Sequence, residues 1–124
     1  MTAQRPRVLI VEDEFLLALF LEETLQDLGC EVVGVVSGAG PAHKAVTEQA
    51  PDGVLLDVNL GGSTAFEIAD LLKSRQIPFA FATGYSLDES IRRQYGVPCL
   101  QKPLLSHHLA EQFLPILSRP PQPR

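Results

Sequence analysis

The chain has 124 residues, room for one compact domain on one hydrophobic core and too few for a second functional domain. With 45% hydrophobic and 20% charged residues it has the composition of an ordinary globular protein, so neither disorder nor a fibrous class is indicated. A net charge of −5, with no stretch that gathers Lys and Arg, argues against nucleic-acid binding, and every apolar run is too short to span a membrane.

Met1 to Arg7 is polar and lacks the apolar segment of a signal peptide, so a cytoplasmic, soluble protein with a cationic or protein partner is expected. Five short runs, mostly β-branched or apolar, follow along the chain: Val8–Val11, Glu31–Val36, Gly53–Leu56, Phe79–Ala82 and Pro98–Leu100. Each fits a buried parallel strand. Between them lie helical stripes. The first holds Leu17, Leu21, Leu25 and Leu28, with Phe15, Leu16, Leu19 and Phe20 as surplus apolar residues outside it. That surplus fits either a cover of loops or an exposed patch for a partner helix. The second stripe, after Pro41, holds Ala42, Ala45, Val46 and Gln49; the third follows a Thr64/Glu67 capping box with Ala65, Ile68, Ala69 and Leu72. The fourth, Leu87 to Tyr95, is weak, because only Leu87, Ile91 and Tyr95 align in a polar segment. The last holds Ala110, Phe113, Leu114 and Leu117, and Pro115 inside it should kink or stop the helix by removing a bond to the Glu111 carbonyl. The closing RPPQPR has the composition of an extended tail. Strands alternating with helices specify an α/β doubly wound domain, a parallel sheet with helices on both faces. Cys30 and Cys99 stand in no metal-like spacing and read as small, reduced, buried hydrophobes.

In an open α/β sheet the ligand site lies beyond the carboxyl ends of the strands. The unusual polar residues fall there: Glu12 and Asp13 after the first strand in VLIVEDEF, Asp57 closing the third in GVLLDVNLGG, Thr83 closing the fourth in FAFATGY, and Lys102 after the fifth in CLQKP. Carboxylates gathered at one point repel unless a hard divalent cation joins them, and Mg²⁺ takes a few protein oxygens with water and phosphate completing its shell. Glu12, Asp13 and Asp57 suit that role. A carboxylate can then act as nucleophile toward phosphorus while a Lys ammonium and a Thr hydroxyl take phosphoryl oxygens, parts for which Asp57, Lys102 and Thr83 are the candidates. Taken singly, Glu14 reads as a first-turn acid, Thr83 as a cap and Lys102 as a surface charge; it is their joint placement that points to chemistry. His43, His107 and His108 read as solvated helix residues.

The acidic pair Glu12-Asp13, Asp57, Thr83 and the Lys102-Pro103 dipeptide, in this order and spacing, resemble the receiver domain of bacterial two-component response regulators, over about Arg7 to Leu117. Residues 1–6 are then an N-terminal extension, 7–117 the receiver domain and 118–124 a flexible tail. The run PFAFATGY is similar to the signature of the FAT GUY subgroup, without the hydrophobic residue between Gly84 and Tyr85. The resemblance implies a flavodoxin-like sheet of order 2-1-3-4-5. It implies a phosphoryl group passed to Asp57 from a sensor histidine kinase or histidine phosphotransfer protein. Mg²⁺, for which Mn²⁺ can substitute, would be held by Asp13, Asp57 and the Asn59 carbonyl, with Glu12 acting largely through water. It implies a cis peptide before Pro103, and a single-domain switch, monomeric or weakly dimeric, that turns over no substrate. Receivers commonly carry an aromatic three residues before the lysine; here that position is Cys99, which leaves Thr83 and Tyr85 as the expected switch pair. Two rivals share parts of the pattern. A haloacid-dehalogenase-type phosphatase would need an acid where Asn59 stands, and a flavodoxin-like cofactor binder would meet repulsion from Glu12, Asp13 and Glu14.

Overall fold

The computed structural model describes residues 5–58, 64–84 and 89–118. Five parallel strands, β1 (Arg7–Val11), β2 (Glu31–Val36), β3 (Gly53–Asp57), β4 (Phe79–Thr83) and β5 (Cys99–Gln101), form one sheet of order β2-β1-β3-β4-β5. They alternate with α1 (Phe15–Asp27), α2 (Ala39–Gln49), α3 (Thr64–Ser74), α4 (Glu89–Tyr95) and a final helix that starts as α5 (Ser106–His108). The doubly wound fold and the strand order are as expected, with strand limits within a residue or so of the sequence reading.

The period of two along each strand sorts the core into two layers. Val8, Ile10, Leu55, Ala80 and Ala82 face α1 and the final helix, where Leu21, Leu25, Leu109 and Phe113 meet them. Leu9, Val11, Val54, Leu56, Phe79 and Phe81 face α2, α3 and α4. The large rings of β4 thus all go to one side, over α3 and α4, and its alanines to the other.

Three local details differ from the expectation or refine it. α3 begins at Thr64, so Thr64 is the first helical residue and not a cap, which moves Glu67 off the third helical position that a capping box requires. The described part of the fourth helix is Glu89–Tyr95, and Leu87 lies outside the described residues. The last helix changes its winding as Pro115 approaches: a wide π turn at Leu109–Phe113 is followed by a tight 3₁₀ turn at Leu114–Ile116, where the chain leaves helical geometry. Leu109, Phe113 and Leu117 make the buried stripe, whereas Ala110 and Leu114 are only half-buried.

Hydrogen bonds lock the lower edge of the sheet. Asp52 accepts from the Arg7 backbone N–H at 2.7 Å and its own N–H donates to the Arg7 carbonyl at 2.7 Å. The Arg7 guanidinium donates to the carbonyl and side chain of Gln49, covering the carbonyl end of α2. Beside it, Leu117 fills the space over Gly53, where a Cβ would overlap its Cδ2.

Tyr95 stacks among Phe66, Phe79 and Phe81 and donates its hydroxyl to Asp70 Oδ1 at 2.9 Å. Burial first, then the Asp70 carboxylate, push its pKa from 10.0 up to about 12. The folded state therefore holds the phenolic proton more tightly than the unfolded chain, so this stabilisation is complete below pH 10.0 and is lost as pH rises toward 12. Wild type should lose on the order of 2 kcal/mol more stability than Tyr95→Phe over that interval, read as urea midpoints at the two ends. Parallel pH profiles for the two proteins would contradict it.

Candidate functional site

Backbone ladders carry each polar residue to the same edge. The Glu12 N–H donates to the Val36 carbonyl, Val58 N–H to Ala82 and Lys102 N–H to Thr83, at 2.9, 2.9 and 2.7 Å, so strand pairing runs on past the named strand ends. Asp57 lies level with Ala82, and Ala82 with Leu100. Register thus brings Glu12, Asp57, Thr83 and Lys102 to one edge, with Thr83 one position and Lys102 two positions beyond the level of Asp57.

Side chains complete the group. Lys102 Nζ donates to Asp57 Oδ1 at 3.1 Å and stands 3.2 Å from Glu12 Oε1. Glu12, Asp57 and Thr83 are all buried, at 5%, 2% and 2% exposure, while Asp13 and Glu14 are exposed. Glu12 Oε2 accepts from the Glu14 N–H at 3.0 Å, which turns the chain into α1. Among the described residues Glu12 Oε1 has the Lys102 ammonium as its nearest counter-charge, in poorer hydrogen-bond geometry than Asp57 Oδ1. Burial and then the Asp57 carboxyl raise the Glu12 pKa, with the Glu14 N–H and Lys102 pulling it down less strongly. Burial alone would lower the Lys102 pKa, but its bond to Asp57 and the charges of Asp57 and Glu12 raise it on balance. One ammonium therefore serves two buried acids, with a third acid next in the chain.

The donor set is oxygen only, hard and in excess of its counter-charge, which suits Mg²⁺ or Mn²⁺. No group of three His, Cys, Asp or Glu side chains among the described residues closes a metal site by itself. A cation here would have to complete its shell with water, backbone carbonyl or phosphoryl oxygen, as Mg²⁺ does elsewhere.

The sequence reading and the geometry agree on Glu12, Asp57, Thr83 and Lys102 as neighbours at one edge, and the Lys102-Pro103 peptide is cis. Of the two adjacent acids, Glu12 is buried against Lys102 and Asp13 is exposed. The signal was in the ladder, because Glu12 is still paired to β2 whereas Asp13 is beyond it. Asn59 and Tyr85 lie outside the described residues. Cys99 is half-buried and, like Cys30, a free thiol. Phe15, Leu16, Leu19 and Phe20 are exposed, Phe15 and Leu16 at 72% and 73%, so the surplus apolar residues of α1 form a patch next to the site.

The sequence model of the response regulator receiver domain matches residues 8–112. The chain belongs to that family. It is 38% identical over 81 residues to the phyllosphere-induced regulator PhyR of Methylorubrum extorquens, covering 63% of this chain and 30% of that protein. The solution structure of SdrG from Sphingomonas melonis Fr1 superposes with a TM-score of 0.75 at 37% identity, over 90% of this chain and 95% of that one. The BeF3-activated conformation of SdrG superposes at 0.73 and 40% identity, over 85% of this chain and 90% of that one. The chain spans less than half the length of curated relatives such as PhyR. As a receiver domain it has the fold on which phosphorylation of an aspartate is general, and no helix among its described residues is long and apolar enough to cross a membrane.

Two buried acids on one lysine are mutually repulsive. Glu12→Gln removes one charge while keeping an acceptor for the Glu14 N–H, and without divalent ions it should raise stability by on the order of 1 kcal/mol at neutral pH. A lower urea midpoint for Glu12→Gln would show that Glu12 is a net stabilising partner of Lys102.

Proposed function

We propose that this chain is a phosphoacceptor switch that receives a phosphoryl group on Asp57. The carrying observation is the single hydrogen bond from Lys102 Nζ to Asp57 Oδ1, at a buried strand end where Glu12 and Thr83 converge. In the transfer, the N–P bond of a partner's phosphohistidine breaks as an Asp57 oxygen bonds to phosphorus, and the histidine nitrogen keeps the electron pair. Lys102 would move from a carboxylate oxygen to a phosphoryl oxygen, and the Thr83 hydroxyl would take another. Asp13, Asp57 and the Asn59 carbonyl would hold Mg²⁺ or Mn²⁺, with Glu12 behind them. Bound there, the cation would neutralise charge on the phosphoryl oxygens.

The donor would be a sensor histidine kinase or a histidine phosphotransfer protein in the cytoplasm, and the exposed α1 patch of Phe15, Leu16, Leu19 and Phe20 suits a partner helix beside Asp57. The chain would not turn over substrate, beyond assisting its own phosphorylation and dephosphorylation. It would signal by contact with another protein or by onward transfer. Thr83 would be the first residue to respond, with Tyr85 after it and Cys99 in place of the usual aromatic. The solved BeF3-activated form of SdrG supports this reading of the site. Membership of the FAT GUY subgroup rests on the run PFAFATGY alone.

Labelled phosphoryl from a kinase or a small phosphodonor should be lost in Asp57→Asn and released by hydroxylamine, as from an acyl phosphate. Label retained in Asp57→Asn would refute the assignment.

A further inference from the structure

The described part of α4 (Glu89–Tyr95) has seven residues, too few to be stable alone, and only Tyr95 among them is buried. Ile91 is half-buried, and the other five are exposed. The Glu89–Arg93 pair lies on the open surface and adds little. Among its described residues Tyr95 makes the most buried attachment to the domain, with Ile91 packed beside it. The Tyr95 ring lies 5.4 Å from Phe81 and 6.1 Å from Phe66 by centroids, and its hydroxyl reaches across to Asp70 on α3 at 2.9 Å. Beside that contact an open pocket of about 250 Å³ is lined by Phe66, Ile91, Gln94 and Tyr95. A short, mostly exposed segment whose one buried described residue carries a hydrogen bond to the next helix, with an open pocket beside it, has the features of a locally opening unit.

We propose that the Tyr95–Asp70 hydrogen bond is a latch that sets how often α4 opens from α3 while the sheet and the remaining helices stay folded. The hydroxyl donates to an ionised acceptor, so losing it forfeits a charge-assisted bond, and the ring contacts with Phe66 and Phe81 remain when only the hydroxyl is removed. Opening would uncover Phe66 and the edge of Phe81, which stands two residues before Thr83 on β4. This device needs no phosphorylation of Asp57 and can be tested in the unmodified chain.

Arg92 and Arg93 place two tryptic sites within α4, and cleavage there under native conditions follows the population of the open helix when reclosing is fast. Tyr95→Phe and Asp70→Ala should each speed cleavage after Arg92 and Arg93 on the order of tenfold, and the double variant no further. Asp70→Asn, whose Oδ1 still accepts, should lie closer to wild type. Cleavage after Lys44 in α2 should stay slower than after Arg92 and Arg93 in every variant. Unchanged cleavage in both single variants would overturn the latch. So would fully additive effects in the double variant, or cleavage after Lys44 as fast as after Arg92 and Arg93, which would mark unfolding of the whole domain.

Discussion

The contact between one ammonium and two buried carboxylates, Lys102 with Glu12 and Asp57, is the constraint around which the functional edge is organised. Neither acid could stay buried unpaired, and Lys102 reaches both only because β5 ends beside β4, β4 beside β3, and β3 beside β1. Sheet order is thus what makes the charge arrangement possible. The compensation is also incomplete, since burial and the neighbouring carboxyl leave Glu12 with a raised pKa. A phosphoacceptor gains from that incompleteness, because a site already neutral would have no attraction for a cation.

The same strands distribute the packing that surrounds the site. β4 sends Phe79 and Phe81 toward α3 and α4 and only alanines toward α1 and the final helix. Its last residue, Thr83, is therefore backed on one side by the aromatic group that holds Tyr95. On the proposed reading a displacement of Thr83 acts on the face of the sheet that carries α4, among whose described residues only Tyr95 is buried. α1 is arranged in the opposite way: its buried face, Ala18, Leu21 and Leu25, fixes it against the sheet, and Phe15, Leu16, Leu19 and Phe20 remain outward beside the acids. A helix held so firmly can present a fixed surface to a partner.

Much of this was legible in the residues. Alternation and apolar runs located all five strands, since a buried parallel strand has little freedom of composition, and the strand-end rule brought Glu12, Asp57, Thr83 and Lys102 together without coordinates. What escaped the sequence depends on relations between elements. The burial of Glu12 follows from one more rung of pairing to Val36, which no local pattern encodes. Tyr95 was visible as a weak stripe residue, but its bond to Asp70 joins helices 25 positions apart. Pro115 foretold a disturbed final helix, yet the π turn ahead of it and the burial of Leu109 follow from how the chain recovers its packing after the lost bond. The Thr64/Glu67 pair fits a capping box by type and misses it by one position in register.

On the proposed reading this edge holds more negative charge than Lys102 can answer and takes up one divalent cation through Asp13 and its neighbours. Calorimetric titration of the unphosphorylated chain with Mg²⁺ tests it most directly. Wild type should bind a single ion, and Asp13→Ala, which leaves the Glu12–Lys102–Asp57 contact intact, should lose most of that affinity. Equal binding by wild type and Asp13→Ala, or no binding by wild type, would contradict the account.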